Sequence, residues 1–227
     1  MRTQLTPPQS PLRAVTFDLD GLMFNTEELY QQVGATILDR RGHEFETALM
    51  DQMMGRKSNE ALGRMIDYFA LDATVEQLAA ESAELFVDLL PQKLAPMPGL
   101  VELLAALEAA QIPKGIATSS GRTFVDAVLA VFGWRPRFAF VLAGEDIVHG
   151  KPAPDVYLLA AEQHGVEPAA MLVLEDSQLG CRAAVASGAY AVAVPSGRSV
   201  HHEFPGAKFE ATSLGDERIY AALGLCS

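Results

Sequence analysis

The stretch Arg13–Glu27, RAVTFDLDGLMFNTE, decides how the chain is read. An apolar run, Ala14 to Phe17, leads into two carboxylates one residue apart, Asp18 and Asp20, and then Gly21. Such a run reads as a buried strand, and the Asp-Gly step ends it with a turn. The carboxylates therefore stand at the strand's C-terminal end, the edge where open parallel α/β sheets bind ligands. Side chains alternate along an extended chain, so Asp18 and Asp20 are expected on one side. Like charges this close are unfavourable unless a cation or a proton lies between them, which makes the pair a metal or acid/base candidate. An ordinary turn after a solvated strand end is the alternative that this stretch leaves open.

The whole chain narrows the choice. At 227 residues it is long enough for one domain with a sizeable insertion, and 49% apolar against 20% charged residues is ordinary for a globular protein. The 29 acidic and 17 basic residues give a net charge of −12, with no basic block, so nucleic acid and anionic membranes are not expected partners. Only Cys181 and Cys226 are present, which offers no disulfide framework and suits a reducing cytoplasm. No apolar run reaches the length of a membrane span, and a soluble protein with a short Pro-containing lead-in is expected.

Helical spacing dominates after Asp20. Asn25-Thr26 reads as the start of a helix that runs through Leu29, Val33 and Ile37 to Arg41-Gly42. A short helical piece is expected over Thr47–Met54, another through Leu62, Met65, Ile66 and Phe69, and a third from Thr74, where Gln77 completes a capping box. No strand is expected between Leu22 and Pro98. The rhythm then changes. Strands are expected at Gly115–Thr118, Phe138–Leu142, Met171–Leu174 and Tyr190–Val194, and they alternate with helices at 100–110, 124–132, 155–164 and 178–187. A closing helix is expected near Leu214–Leu223. This alternation predicts right-handed βαβ units: an α/β fold with a Rossmann-like parallel sheet flanked by helices. A crossover needs only about 30 residues. The segment 25–96 is thus a helical insertion, either a cap over the site or a plain helical subdomain, and 12–24 with 97–227 form the core. Met97-Pro98-Gly99 reads as the return hinge.

Four strand ends then carry polar residues to one edge. The first supplies Asp18 and Asp20. The second supplies Thr118-Ser119-Ser120-Gly121 ahead of a helix, either an anion site suited to phosphate or a plain N-cap. After the third, Pro152 and Pro154 stiffen the loop that carries Lys151, a cation able to neutralise a phosphate or a carboxylate. The fourth runs straight into Glu175 and Asp176. Together with Asp18 and Asp20, these acids would form an oxygen-rich cage suited to Mg²⁺. Within the insertion, Met53–Lys57 separates two helices. There Gly55 permits close approach, and Arg56 or Lys57 could meet a leaving group. His201-His202 offers no diagnostic metal spacing and is read as surface.

Through FDLDGL, ATSSGR, GKPAPDVY and LEDSQLG, in that order, the chain resembles the haloacid dehalogenase superfamily over residues 12 to 225. It is most similar to the phosphatase and phosphomutase branch with a helical cap. The resemblance implies Asp18 as nucleophile and Asp20 as general acid/base. It implies Thr118, with Ser119, as phosphate-binding and Lys151 as the lysine that steadies nucleophile and phosphoryl group. It also implies Mg²⁺ as cofactor, held by Asp176, the nucleophile Asp18 and the Asp20 backbone carbonyl, with Glu175 their neighbour in the acidic motif. Asn25-Thr26 departs from the Asp-Ser pair common in the family, a difference that bears on substrate contacts near the hinge. The implied function is Mg²⁺-dependent hydrolysis of a small phosphorylated metabolite, such as a sugar phosphate, by a cytoplasmic monomer or dimer. A phosphosugar mutase and a non-catalytic binding protein are the alternatives.

Overall fold

A computed structural model of the chain describes residues 7–8, 10–53 and 58–225. Its five-stranded sheet is parallel throughout, in the order β3-β2-β1-β4-β5, where β1 is Ala14–Phe17, β2 Lys114–Ala117, β3 Val141–Leu142, β4 Met171–Glu175 and β5 Tyr190–Ala193. Every strand position is buried, as the near-continuous apolar runs require of a sheet covered on both faces. Phe17 of the central strand lies between Ile116 and Leu174, each fully buried. Each such side chain contributes roughly 1.5–3 kcal/mol. Between β1 and β4 the chain order reverses, so the crevice beyond their C-terminal ends is the topological switch point, and Asp18 and Glu175 mark it.

Between β1 and β2 come α1 (Thr26–Asp39), α2 (Thr47–Met53), α3 (Ser58–Phe69), α4 (Val75–Lys93) and α5 (Leu100–Ala109). The helix α4 opens on the expected capping box: Gln77 N donates to Thr74 Oγ1 at 3.3 Å, and Gln77 Oε1 accepts from Thr74 N at 2.8 Å. Asn25 behaves otherwise. It precedes α1 without capping it. Its side chain accepts from Ala95 N at 2.7 Å and donates to Lys93 O at 3.2 Å. Backbone bonds from Asn25 N to Ala95 O (3.2 Å) and from Met97 N to Met23 O (2.8 Å) complete a short antiparallel pairing of the two connecting segments. Beyond it, α4 rests on α1 and α3 and reaches α6 (Arg122–Phe132), with Phe86 and Phe124 ring centroids 4.9 Å apart.

The remaining helices are α7 (Asp155–His164), α8 (Gln178–Ala186) and α9 (Glu217–Ala222). Two elements are shorter than the sequence suggests. Only Val141–Leu142 of the expected third strand joins the ladder, because this edge strand has a single neighbour and Arg135–Arg137 form a tight turn ahead of it. Phe138 and Phe140 are buried all the same. The closing helix begins at Glu217 rather than Leu214 because Asp216 caps it, accepting from Arg218 N at 3.0 Å. Among the described residues no helix is long and apolar enough to cross a membrane.

Candidate active site

The strand ladder itself fixes the floor of the site. Asp18 N donates to Leu174 O at 3.0 Å, Thr118 N to Leu142 O at 3.0 Å, and Val194 N to Glu175 O at 2.7 Å. The backbone at Asp18, Thr118 and Glu175 is therefore tied directly to the neighbouring strand. Lys151 Nζ lies 2.5 Å from Asp18 Oδ1, 2.6 Å from Glu175 Oε1 and 3.2 Å from Ala117 O. The Lys151–Pro152 peptide is cis. Glu175 is fully buried, and its carboxylate takes four donors: Lys151, Tyr157 Oη at 2.7 Å, Ser177 N at 3.1 Å and Ser177 Oγ at 2.9 Å. Such a carboxylate is committed to holding Lys151 in place.

Asp20 turns to the other wall. Its Oδ2 accepts from Ser120 Oγ at 2.6 Å and Thr118 Oγ1 at 3.2 Å, and Ser120 Oγ also meets Tyr30 Oη at 3.2 Å. The other oxygen, Oδ1, is buried and has no hydrogen-bond partner among the described residues. Gly21 then bends the chain at φ +74°, and its N–H donates to Thr26 Oγ1 at 3.2 Å. A side chain at Gly21 would put its Cβ 2.5 Å from Asp176 Oδ2, so only glycine fits both the turn and the approach.

Burial dominates the electrostatics. It raises the pKa of Asp18 to about 8; Lys151 opposes this, while Glu175 and Asp20 add to it. Asp20 is also raised by burial, against the hydrogen bonds from Ser120, Thr26 and Thr118. Asp176 is raised well above the usual carboxylate range by burial, then by Glu175, Asp18 and Glu27. Burial alone would lower the Lys151 ammonium, but Asp18 and Glu175 outweigh it and hold the proton on. One carboxylate oxygen from each of Asp18, Glu175 and Asp176 falls within 4.8 Å of the others, and Lys151 pairs with Asp18 and Glu175. An all-oxygen set with excess negative charge suits a hard divalent cation such as Mg²⁺.

Gly180 adds a test of this packing. A Cβ there would stand 1.7 Å from Glu175 Oε1. Alanine ordinarily favours a helix interior over glycine by about 1 kcal/mol, but here Gly180→Ala is expected to destabilise the fold by about 1–3 kcal/mol through overpacking. Because the displaced carboxylate releases Lys151, turnover is expected to fall about tenfold or more with it. Urea denaturation and steady-state kinetics of the variant check both.

Asp18, Asp20, Thr118, Ser119, Lys151 and Asp176 line one cavity of about 390 Å³, whereas Glu175 lies beneath its floor. Gly55 and Arg56, expected to meet the leaving group, lie outside the described residues, as does Cys226. Thr118 and Ser120 do not cap α6; Gly121 holds that position, and the N–H of Arg122 is taken by Glu145 at 3.0 Å. His201 falls in a 3-10 turn and joins no metal-binding group among the described residues. Burial, reinforced by Glu175, holds the Cys181 thiol protonated. Sequence reasoning missed Ser120, Tyr157, Ser177 and Tyr30. Ser120, Tyr157 and Ser177 sat inside the quoted motifs, whereas nothing local marked Tyr30.

A parallel sheet with acids at its switch point, a buried lysine between two of them and a helical insertion beside them defines a class of hydrolase. The family model for haloacid dehalogenase-like hydrolases matches residues 15–194, and the chain belongs to that family. It is 33% identical over 214 residues to a probable pseudouridine-5'-phosphatase of Drosophila melanogaster, covering 90% of this chain and 92% of that protein. It is 31% identical to the fructose-1-phosphate phosphatase YqaB of Escherichia coli, covering 78% of this chain and 94% of the relative. Among solved structures, CbbY from Rhodobacter sphaeroides in complex with phosphate superposes with a TM-score of 0.83 at 27% identity, covering 90% of this chain and 95% of that one.

Proposed function

We propose that this haloacid dehalogenase-family phosphoric monoester hydrolase cleaves a small phosphate ester through an aspartyl-phosphate on Asp18, with Mg²⁺ as its cation. The observation that carries this reading is that Asp18 and Asp20 face one cavity under opposite restraint. Burial raises the proton affinity of both, but Asp18 is held by an ammonium at 2.5 Å, whereas Asp20 is held by hydroxyl donors and has no cation against it. The first suits a nucleophile and the second a proton donor.

Asp18 attacks phosphorus as the ester P–O bond breaks, and Asp20 gives its proton to the departing alkoxide. Water then attacks the aspartyl-phosphate, Asp20 takes the water's proton, and inorganic phosphate leaves with the Asp18 carboxylate restored. Lys151 keeps Asp18 aimed and offsets charge on the phosphoryl oxygens, and Thr118 and Ser119 orient them. Asp18 and Asp176 would hold the Mg²⁺, together with the Asp20 carbonyl; Glu175 is left to Lys151. When bound, the cation supplies further charge neutralisation for the phosphoryl group. Residues 25–96 act as the cap over a core of 12–24 and 97–227, and shield the first step from bulk water. The phosphatase names of the relatives support this assignment, as does the phosphate in CbbY.

The experiment is phosphate release from p-nitrophenyl phosphate and a panel of metabolite phosphates, with Mg²⁺ or with a chelator. Turnover is expected only with Mg²⁺. A parallel melting experiment is expected to show stabilisation of about 2.7 kcal/mol at a Mg²⁺ concentration of 100 Kd. In Asp176→Asn that stabilisation disappears and half-activation needs at least about tenfold more Mg²⁺. Metal-independent turnover, or an unchanged Mg²⁺ response in Asp176→Asn, would sink the assignment. Transfer of phosphate to a second sugar hydroxyl in place of release would make the protein a mutase.

A further inference from the structure

The cavity that holds Asp18 and Asp20 does not end at the sheet edge. It continues up between the inserted helices, where Val33 and Ile37 of α1, Leu62 and Met65 of α3 and Phe86 of α4 form its wall, with Phe45 from the loop after α1. We infer that the preferred substrate is the phosphate monoester of an alcohol with a sizeable apolar body, seated among these side chains, rather than of a polyol. This substrate class rests on the phosphatase chemistry proposed for Asp18.

Three observations carry it. The first is size: about 390 Å³ is ligand-scale space, far beyond what one phosphate fills. The second is the chemistry of the wall. A sugar would bury several hydroxyls, each costly without a partner. Among the described residues, the polar side chains that line the cavity on the inserted helices are already engaged. Ser82 Oγ donates to Leu78 O at 2.7 Å, Tyr30 Oη is paired with Ser120, and Glu145 accepts from Arg122 N. Glu27 has interactions of its own as well. The third is charge. Among the described residues the only cationic side chain on the wall is Lys151, already between Asp18 and Glu175. A second phosphate or carboxylate on the substrate would meet Glu27 and Glu145 instead. An uncharged, apolar body satisfies all three. The wall opens toward solvent at Val87 of α4, which is 69% exposed and gives such a group a way in.

The test is a homologous series. n-Alkyl phosphonates from methyl to hexyl, which bind without turning over, are titrated calorimetrically into the Mg²⁺-loaded protein. In parallel, kcat/KM is measured for the matching n-alkyl phosphates and for glycerol 3-phosphate and glucose 6-phosphate. Affinity is expected to rise about threefold to fourfold per methylene until the cavity is filled, with kcat/KM of the esters rising in step. In Ala79→Phe, which narrows the wall, the rise is expected to stop at a shorter chain. Affinity independent of chain length, or a higher kcat/KM for either polyol phosphate than for hexyl phosphate, would overturn the inference while leaving the phosphatase intact. Chain-length-dependent binding with no hydrolysis of any ester would support the apolar site and overturn the phosphatase reading instead.

Discussion

Asp18→Asn is expected to lower turnover at least about a thousandfold while raising thermal stability. The kinetic half follows from removing the atom proposed to attack phosphorus: an amide oxygen is a far weaker nucleophile, and little remains beyond ligand binding. The stability half follows from burial. In the folded chain without metal the Asp18 carboxyl titrates at about 8, against an ordinary value of 3.8. Its proton is therefore bound more tightly when folded than when unfolded, and stability falls as pH rises from about 4 toward 8. Asparagine mimics the protonated form at every pH. The gain in melting temperature of the variant over the parent, measured in chelator, should therefore widen between pH 5 and pH 8. An equal gain at both pH values, or a loss, would show that Asp18 does not carry the buried charge assigned to it.

Lys151→Met is expected to cost both properties. Lys151 is 3% exposed, with Asp18 and Glu175 at 2.5 and 2.6 Å, so its removal strands two buried acids and leaves the donors around Glu175 one short. Breaking a buried pair in this way costs about 3–5 kcal/mol. The loss of the cation proposed to lie beside the phosphoryl group should lower kcat/KM by at least about a hundredfold. The decisive measurement is a double-mutant cycle. If Asp18 and Lys151 interact directly, Asp18→Asn changes stability by a different amount in the Lys151→Met background than in the parent, and the gain is expected to be larger there, since the stranded acid is removed. Additive effects in urea denaturation would mean that the two side chains do not share a charge balance.

Much of this site is legible from local sequence, because its parts sit where strands end. A short apolar run followed by Asp-x-Asp-Gly, by Thr-Ser-Ser-Gly or by Glu-Asp-Ser marks its own boundary. Three such ends, with the Lys151 loop that follows β3, meet wherever the strands are parallel. The same logic gives the α/β class and the helical insertion, since strand and helix periods differ over a few residues. Other features escape for want of a local signal. Asn25 sits where a cap is expected, but its side chain finds Lys93 and Ala95, about seventy positions onward. Glu175 reads from the sequence as one of the acids of a metal cage, and nothing local shows that Tyr157 and Ser177 also share its carboxylate with Lys151. The apolar cavity wall is the deepest case. Val33, Ile37, Leu62, Met65 and Phe86 have the spacing of ordinary helix core, and spacing alone does not tell a filled interior from one that leaves space for a guest.

The pairing of the two connectors, Met23 with Met97 and Asn25 with Ala95, means that the inserted helices enter and leave the sheet side by side. Asp18, Asp20, Thr118, Lys151, Glu175 and Asp176 all lie outside that gateway in sequence, and the apolar wall lies almost entirely inside it. The two sets of positions can therefore drift under separate selection. A lineage could exchange everything between residues 31 and 94 as one cassette, changing which alcohol is released while Thr26, Glu27 and Tyr30 keep their places beside the groups proposed to release it.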